Sequence, residues 1–186
     1  IIFCMEAIKN LKLEKIFKIT SILIFGTILL SISAKTKIPF YPVPMTMQTF
    51  VVMFLGMALG FKLAVATIML YLFEGLIGIP VFAAGAGLAY FTGPTTGYLI
   101  GFIFAAFFSG YLNLKTNQII IVLKLIFSVS FIYFFGLIWL YNFMGFEKSF
   151  FEIFKIGAQP FLLAELFKIL ILAILAKYIF KIKKII

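Results

Sequence analysis

The sequence predicts an all-α integral membrane protein with six transmembrane helices, and three observations support this fold class. Apolar residues make up 65% of the 186-residue chain and charged residues 12%, whereas soluble domains are about half apolar and a quarter charged. The mean hydropathy is +1.23. The apolar residues form runs that approach the roughly 20 residues needed to span a bilayer. A small soluble domain could not bury so much Phe, Ile and Leu, so we expect the chain to be surrounded by lipid.

The ends of these apolar runs give the helix boundaries. Lysines flank the first run, the tripeptide Gly60-Phe61-Lys62 predicts a short turn between the second and third, and Pro160 suits the first position of the last helix. The whole membrane domain is predicted over residues 16–181, between a basic segment at 1–15 and a basic tail at 182–186. We expect helices near residues 16–34, 45–60, 63–77, 98–112, 119–143 and 160–180.

Three segments between the predicted helices are irregular. Residues 38–44 hold three prolines, which excludes a helix interior and predicts an extended loop. Residues 80–97 read PVFAAGAGLAYFTGPTTG, which is apolar but rich in Gly, Thr and Pro. Irregular backbone at membrane depth is tolerated where it is buried in protein or lines a cavity. A polar loop is expected around Glu147, Lys148, Glu152 and Lys155.

The lysine distribution predicts the orientation in the membrane. Six helices place both termini on one side, and lysines at the termini, at Lys62 and at Lys115 outnumber those in the opposite loops. The positive-inside rule then places both termini in the cytoplasm. All three irregular segments fall on the outer face, where we expect them to form a pocket open to the outside.

The charged residues exclude several classes of function. The chain has sixteen lysines, six glutamates and no Arg, His or Asp, so the usual catalytic triads and most metal sites cannot form. We therefore expect no enzyme activity, no metal and no cofactor. The net charge of +10 does not indicate nucleic-acid binding, because the lysines sit at the ends of apolar runs. The ATP-binding motif GxxxxGK[ST] is absent, so an ATP-driven cycle would need partner subunits.

Two charges lie inside the last apolar run, at Glu165 and Lys168. Their i, i+3 spacing puts them on one face of a helix, and a charge at the centre of a membrane helix costs about 2.5–3.5 kcal/mol. One interpretation is a pair that neutralises itself inside the bundle. The other is a polar anchor for a ligand, in which Lys168 faces a carboxylate or a carbonyl dipole.

Small residues suggest two further contacts. Gly85 and Gly87 either give the loop flexibility or allow the backbone to approach a flat ligand closely. Thr27 and Ser31 form a small-xxx-small pair in the first helix, which suits close packing against another helix, within the chain or in a partner.

Several motifs together resemble one family. They are IP at residues 38–39, PVPMTMQT at 42–49, GIPVF at 78–82 and GLAYFTGPTTGY at 87–98, followed by Pro160-Phe161, Glu165 and Lys168. In this order they are similar to BioY, the biotin-specific substrate-binding (S) component of energy-coupling factor (ECF) transporters. The family usually has Asp where Glu165 stands, and more Gly or a polar residue within residues 83–87.

The resemblance implies a six-helix S-component fold in the plasma membrane of a prokaryote. It also implies high-affinity biotin capture at the outer face, and partners that comprise a transmembrane coupling subunit and two ATPases. Thr27 and Ser31 match the face of the first helix that docks to the coupling subunit. The expected biotin contacts are Glu165, Lys168, Thr95, Thr96 and the backbone near Gly85 and Gly87, with walls from Phe82, Tyr90 and Tyr98 and a lid from Gln48.

Three alternatives remain open at the level of sequence. One is an S component for another vitamin, such as thiamine or riboflavin. A second is a membrane-embedded enzyme, whose acid–base chemistry would depend on Glu and Lys alone. A third is a structural or assembly protein, which would not require the intramembrane charge pair.

Overall fold

The chain folds mainly into helices. The computed structural model describes residues 2–145 and 148–185, with side chains for 13–145 and 148–184. Two short antiparallel strands, β1 (Lys37–Ile38) and β2 (Met45–Thr46), lie in the proline loop. The helices are α1 (Ile2–Lys35), α2 (Gln48–Leu76), α3 (Leu88–Phe91), α4 (Thr96–Gly110), α5 (Gln118–Phe143), α6 (Phe150–Gly157) and α7 (Leu162–Ile185).

Helix α2 is a hairpin of two antiparallel arms. Its backbone breaks at Gly60, whose φ of 75° and ψ of 167° are not helical and suit glycine. Near its two ends, the amide Nε2 of Gln48 donates to the Tyr71 hydroxyl at 2.8 Å. A straight helix would separate these residues by about 35 Å at 1.5 Å per residue. The chain therefore reverses at Gly60, where the sequence predicts a turn.

Three helices in the described part of the chain are long and apolar enough to cross a membrane. They are Leu13–Lys35, Gln48–Leu76 and Gln118–Phe143, and the apolar helix Thr96–Gly110 is shorter. The buried core lies where the arms of α2 pack against α4, α5 and α7. Contact between α4 and α5 is close at Gly101, where a Cβ would lie 2.5 Å from the Cα of Ile132.

The prediction of a polar loop around Glu152 and Lys155 is wrong, because these residues lie in helix α6. Ser149 caps this helix: its hydroxyl accepts from the Glu152 amide, and the Glu152 carboxylate accepts from the Ser149 amide at 2.8 Å. This reciprocal pair is a capping box, and the spacing S-x-x-E is its signature in the sequence. Glu147 lies outside the described residues.

The start of the last helix also differs from the prediction. Pro160 lies in a 3₁₀ turn (Gln159–Phe161), and α7 begins at Leu162. The turn fills the short connection between α6 and α7 and buries Phe161. Because α7 starts only three residues before Glu165, this carboxylate lies in its first turn.

Candidate functional site

The proline loop, the glycine-rich segment (residues 80–97) and helices α2, α4, α5 and α7 meet at one cavity. Its empty space, which includes the open mouth, is about 530 Å³. We refer to this cavity as the slot. Most of its walls are apolar. The lining residues are Val43, Pro44, Met45, Thr46, Gln48, Thr49, Ala83, Tyr90, Thr95, Tyr98, Leu99, Phe102, Ile132, Tyr133, Phe161 and Glu165.

A buried ion pair forms the charged side of this slot. Glu165 and Lys168 are 4% and 5% exposed, and the Lys168 Nζ lies 2.7 Å from the Glu165 Oε1. The same Nζ donates to the hydroxyl of Thr49 at 2.9 Å and to the carbonyl of Thr46 at 2.7 Å. An ammonium group has three donors, so these contacts occupy all three. The Thr49 hydroxyl then donates to Glu165 Oε1 at 2.8 Å.

The second carboxylate oxygen of Glu165 is available to a ligand. Glu165 Oε2 is buried and has no hydrogen-bond partner among the described residues. The hydroxyl of Tyr133, another wall residue, is close enough to interact electrostatically with this carboxylate, but it does not complete a hydrogen bond to Oε2. Buried polar atoms are almost always paired in proteins, so an unpaired acceptor beside a cavity indicates a place for a donor.

An aromatic stack supports the part of the wall formed by Tyr90. The ring of Tyr90 stacks on Phe82 with centroids 4.7 Å apart, and Phe82 meets Tyr71 edge-on at 5.3 Å. Phe82 is fully buried and packs directly over Gly75, where a Cβ would overlap its ring. Phe82 therefore fixes the position and tilt of the Tyr90 ring, although Phe82 itself does not line the cavity.

The structure brings together half of the residues that the sequence predicts to contact a ligand. Gln48, Tyr90, Thr95, Tyr98 and Glu165 all line the cavity. The Tyr98 hydroxyl is held by the carbonyl of Gly157 at 2.9 Å, which leaves its ring to form the wall.

The other predicted contact residues are not among those that line the cavity. Lys168 sits behind Glu165, and Phe82 lies beneath Tyr90. The Thr96 hydroxyl lies near backbone carbonyls of α3 and of the turn that precedes α4, and the nearest, that of Phe91, accepts from it at 2.7 Å. Gly85 and Gly87 have φ values of 139° and 86° and shape the turn that leads to Tyr90. Their predicted contacts with a ligand stay predictions.

The two small residues of α1 make different hydrogen bonds. Thr27 is 2% exposed, and its hydroxyl donates to Glu74 Oε1 at 3.0 Å and therefore faces α2. Ser31 is half-buried and donates to the carbonyl of Thr27 at 2.8 Å. Thr27 thus serves packing within the chain, and the docking of a partner at these residues stays a prediction.

Sequence reasoning did not single out Thr49 or Tyr133 as site residues. Thr49 lies in the PVPMTMQT motif, one residue after Gln48, but nothing in the sequence shows that its hydroxyl bridges an ion pair 116 and 119 residues away. Tyr133 lies within the apolar run of α5 and resembles its aromatic neighbours. Its only local signal is a hydroxyl at the middle of a membrane-spanning segment, which needs a polar partner when buried.

Comparison with known proteins settles the family. The sequence profile of the BioY family matches residues 8–184, almost the whole chain. This chain belongs to the BioY family. A probable biotin transporter BioY of Pyrococcus horikoshii is 36% identical over 150 residues, which cover 80% of this chain and 88% of that protein. The biotin transporter BioY of Thermotoga maritima is 34% identical, over 81% of this chain and 88% of that protein.

A solved structure shares the fold of this BioY-family chain. It is the 2.1 Å crystal structure of the S component for biotin from an ECF-type ABC transporter, with a TM-score of 0.77 and 26% sequence identity. The match covers 90% of this chain and 93% of that one. The helical S-component fold expected from the sequence is therefore confirmed.

Proposed function

We propose that this protein captures biotin as the substrate-binding component of an ECF uptake transporter. One observation carries the proposal: a largely apolar cavity holds the buried Glu165, whose Oε2 lacks a partner among the described residues. The relatives described above are named as biotin transporters, and the similar solved structure is an S component for biotin. These likenesses favour biotin over thiamine or riboflavin.

The chemistry of the cavity sets the direction in which biotin enters. Biotin has a ureido group with two N–H donors, an apolar thioether ring and a carboxylate tail. Ionised Glu165 can only accept hydrogen bonds, and two carboxylates side by side repel each other. The ureido N–H therefore donates to Glu165 Oε2. This bond satisfies an acceptor that otherwise costs about 1–3 kcal/mol when buried.

The apolar walls suit the rest of the molecule. Tyr90, Phe102, Ile132 and Phe161 enclose the slot, and apolar walls with a few fixed polar groups are the usual design of a small-molecule site. Lys168 acts on the ligand through Glu165, because its three donors are occupied. The carboxylate tail of biotin points toward the mouth of the cavity, away from Glu165.

Lysine positions support an outward-facing cavity. Lys183 on α7 contacts the carbonyl of Gly110 at the end of α4 and also lies beside the turn at Gly60. The Gly60 turn and the end of α4 are therefore at the same end of the molecule. Lys62 follows the turn and Lys115 follows α4, so both lysines lie toward that end. The positive-inside rule places this end in the cytoplasm. The described part of the chain then crosses the plasma membrane of its prokaryotic host six times, through α1, both arms of α2, α4, α5 and α7. Both termini are cytoplasmic.

Transport also needs other subunits. The chain lacks a GxxxxGK[ST] motif, so we expect it to work with a transmembrane coupling subunit and two ATPases, and to carry out no catalysis itself.

Cysteine labelling tests the orientation in the membrane. With Cys4 replaced, a cysteine introduced by Lys62→Cys should react with an impermeant maleimide only after the membrane is opened. Labelling of intact cells would contradict the orientation.

Calorimetry on the purified protein tests the proposed ligand. Biotin should bind at micromolar concentration or below, whereas lipoate, thiamine and riboflavin should not compete. Lipoate is the sharp control, because it has a sulfur-containing ring and a carboxylate tail but no ureido group. Absence of heat with biotin would refute the proposal.

Two glutamate substitutions test the polar anchor. Glu165→Gln removes the charged acceptor, and we expect biotin affinity to fall at least about tenfold, since hydrogen bonds to charged groups contribute about 1.5–3 kcal/mol. Glu152→Gln is the matched control, because Glu152 is fully exposed on α6 and should leave the affinity unchanged. Equal affinities for the two variants would remove Glu165 from the site.

A further inference from the structure

Two lysines, one at the end of α1 and one in β1, bind the backbone of the glycine-rich segment. The Lys35 Nζ donates to the carbonyl of Phe82 at 2.7 Å, and the Lys37 Nζ donates to the carbonyl of Ala83 at 2.6 Å. The bonds join positions 47 and 46 residues apart in the chain. We call these two lysines and the two carbonyls the lysine latch.

The same short stretch of chain also holds the proline loop. Lys37 pairs with Thr46 across the two strands, and the Met47 amide donates to the carbonyl of Thr36 at 3.2 Å. Thr46 in turn offers its carbonyl to Lys168 at 2.7 Å. Two walls of the cavity are therefore attached to a single short stretch, residues 35–37.

The latched segment has little regular structure of its own. Between Pro80 and Gly87 the backbone makes one isolated bridge, from the Phe82 amide to the carbonyl of Gly85 at 3.2 Å. Its other backbone bonds lie at the two ends, where the Val81 amide donates to the carbonyl of Ile79 and the Gly87 amide donates to the carbonyl of Gly75, both at 2.7 Å. Gly85 and Gly87 have positive φ values and the conformational freedom of glycine. Carbonyls outside helices and sheets need other partners, and here the two ammonium groups supply them.

The latched carbonyls also control the aromatic wall. Ala83 lines the cavity directly, and Phe82 is the fully buried ring on which Tyr90 stacks. Displacement of the Phe82 and Ala83 backbone would move both wall elements together.

We propose that Lys35 and Lys37 are positioning residues that keep the wall at Phe82 and Ala83 closed over the cavity and so slow the escape of bound ligand. The inference rests on the proposed function for the identity of the ligand. The lysines do not touch biotin: their Nζ groups bond to the backbone of the wall. Release of the latch, by a shift of α1 relative to the glycine-rich segment, opens the cavity.

Hydrogen exchange on the ligand-free protein tests the latch directly. In the double variant Lys35→Met/Lys37→Met, the amides of residues 81–87 should exchange at least about tenfold faster, because two charge-assisted hydrogen bonds are lost and the loss of one alone corresponds to about tenfold. Amides within α4 should be unchanged, which shows that the protein remains folded. Lys62→Met, at an exposed lysine on the Gly60 turn, is the matched control. Unchanged exchange at residues 81–87 would overturn the latch, whatever the protein binds.

Binding kinetics distinguish positioning from direct contact. The double variant should release biotin roughly tenfold faster while its association rate changes less than about twofold, because wall opening acts mainly on escape. Lys35→Arg/Lys37→Arg keeps charge and donors and should restore slow release. Biotinamide, which lacks the negative charge, should show the same acceleration as biotin in the methionine variant.

The outcomes separate the two proposals. Faster release of biotin but not of biotinamide would show that the lysines contact the ligand carboxylate, and would overturn the positioning role. An unchanged rate of biotin release from the Lys35→Met/Lys37→Met variant would also overturn the positioning role. Failure of the unaltered protein to bind biotin would refute the proposed function, while the exchange measurement would still decide whether the latch exists.

Discussion

Substitution of Lys168 by methionine tests the buried ion pair most severely. The variant leaves Glu165, 4% exposed, with the Thr49 hydroxyl as the donor to Oε1 and with Oε2 still unpaired. The carbonyl of Thr46 loses its donor as well. Removing one partner of a buried ion pair costs about 3–5 kcal/mol, so we expect the free energy of unfolding to fall by that amount.

Equilibrium unfolding in mixed detergent micelles measures this loss. Trp139, the single tryptophan, donates to the carbonyl of Gly93 at 2.9 Å and reports on the packing beside the cavity. Lys177→Met is the control, because Lys177 is exposed on the same helix. In the double variant Glu165→Gln/Lys168→Met, the free energy of unfolding should return to within about 2 kcal/mol of that of the unaltered protein, since replacement of a buried ion pair by neutral residues is tolerated. A loss below about 1 kcal/mol in Lys168→Met alone would refute the reasoning.

Three further predictions follow from neighbouring contacts. Thr49→Val removes the hydroxyl between the two charges and should lower the free energy of unfolding by about 1–3 kcal/mol, with Thr49→Ser as the control that retains it. Gly75→Ala drives a methyl group into the Phe82 ring and should cost about 1–3 kcal/mol as overpacking and weaken biotin binding in calorimetry; wild-type affinity would contradict the aromatic support. The Ser149 bonds lower the pKa of Glu152, so the stabilisation of α6 is present above the unfolded pKa, about 4.3, and is lost as pH falls through the lower folded pKa. Ser149→Ala keeps the amide bond and removes the hydroxyl bond, so it should raise that pKa part of the way toward its usual value in carbon NMR titration, and an unchanged titration would exclude the hydroxyl as a cause.

Local signals predicted most of the helical architecture. The turn at Gly60 was predictable because glycine accepts a positive φ and the nearby Lys62 favours water. The proline loop was predictable because proline has no backbone N–H to donate within a helix. Helix α6 was missed because its charged residues resemble a loop by composition, although the S-x-x-E spacing at Ser149 marks its start. A capping signal of this kind involves only two residues, so the polar composition of the surrounding segment easily outweighs it when a helix is predicted from sequence.

The candidate site was predictable only in part. Glu165 and Lys168 stand out in the sequence because charges in an apolar run are costly, and their helical spacing predicts that they face one another. The sequence does not show which of them reaches the cavity. That depends on Thr46 and Thr49, which occupy the donors of Lys168, while Glu165 lines the slot and its Oε2 has no hydrogen-bond partner among the described residues.

The sequence alone determined that this chain belongs in lipid, that it is helical, and that its polar chemistry centres on one glutamate and one lysine near irregular loops. These properties follow from composition and from the spacing of residues close in sequence, both of which the sequence shows directly. Only the tertiary structure decided that Thr27 faces inward, that Phe82 supports Tyr90, and that Lys35 and Lys37 hold the glycine-rich wall. The physical reason is that hydrogen bonds across more than forty residues, and the stacking of two rings within an irregular segment, depend on how the helices pack, and hydrophobic patterning leaves that packing open.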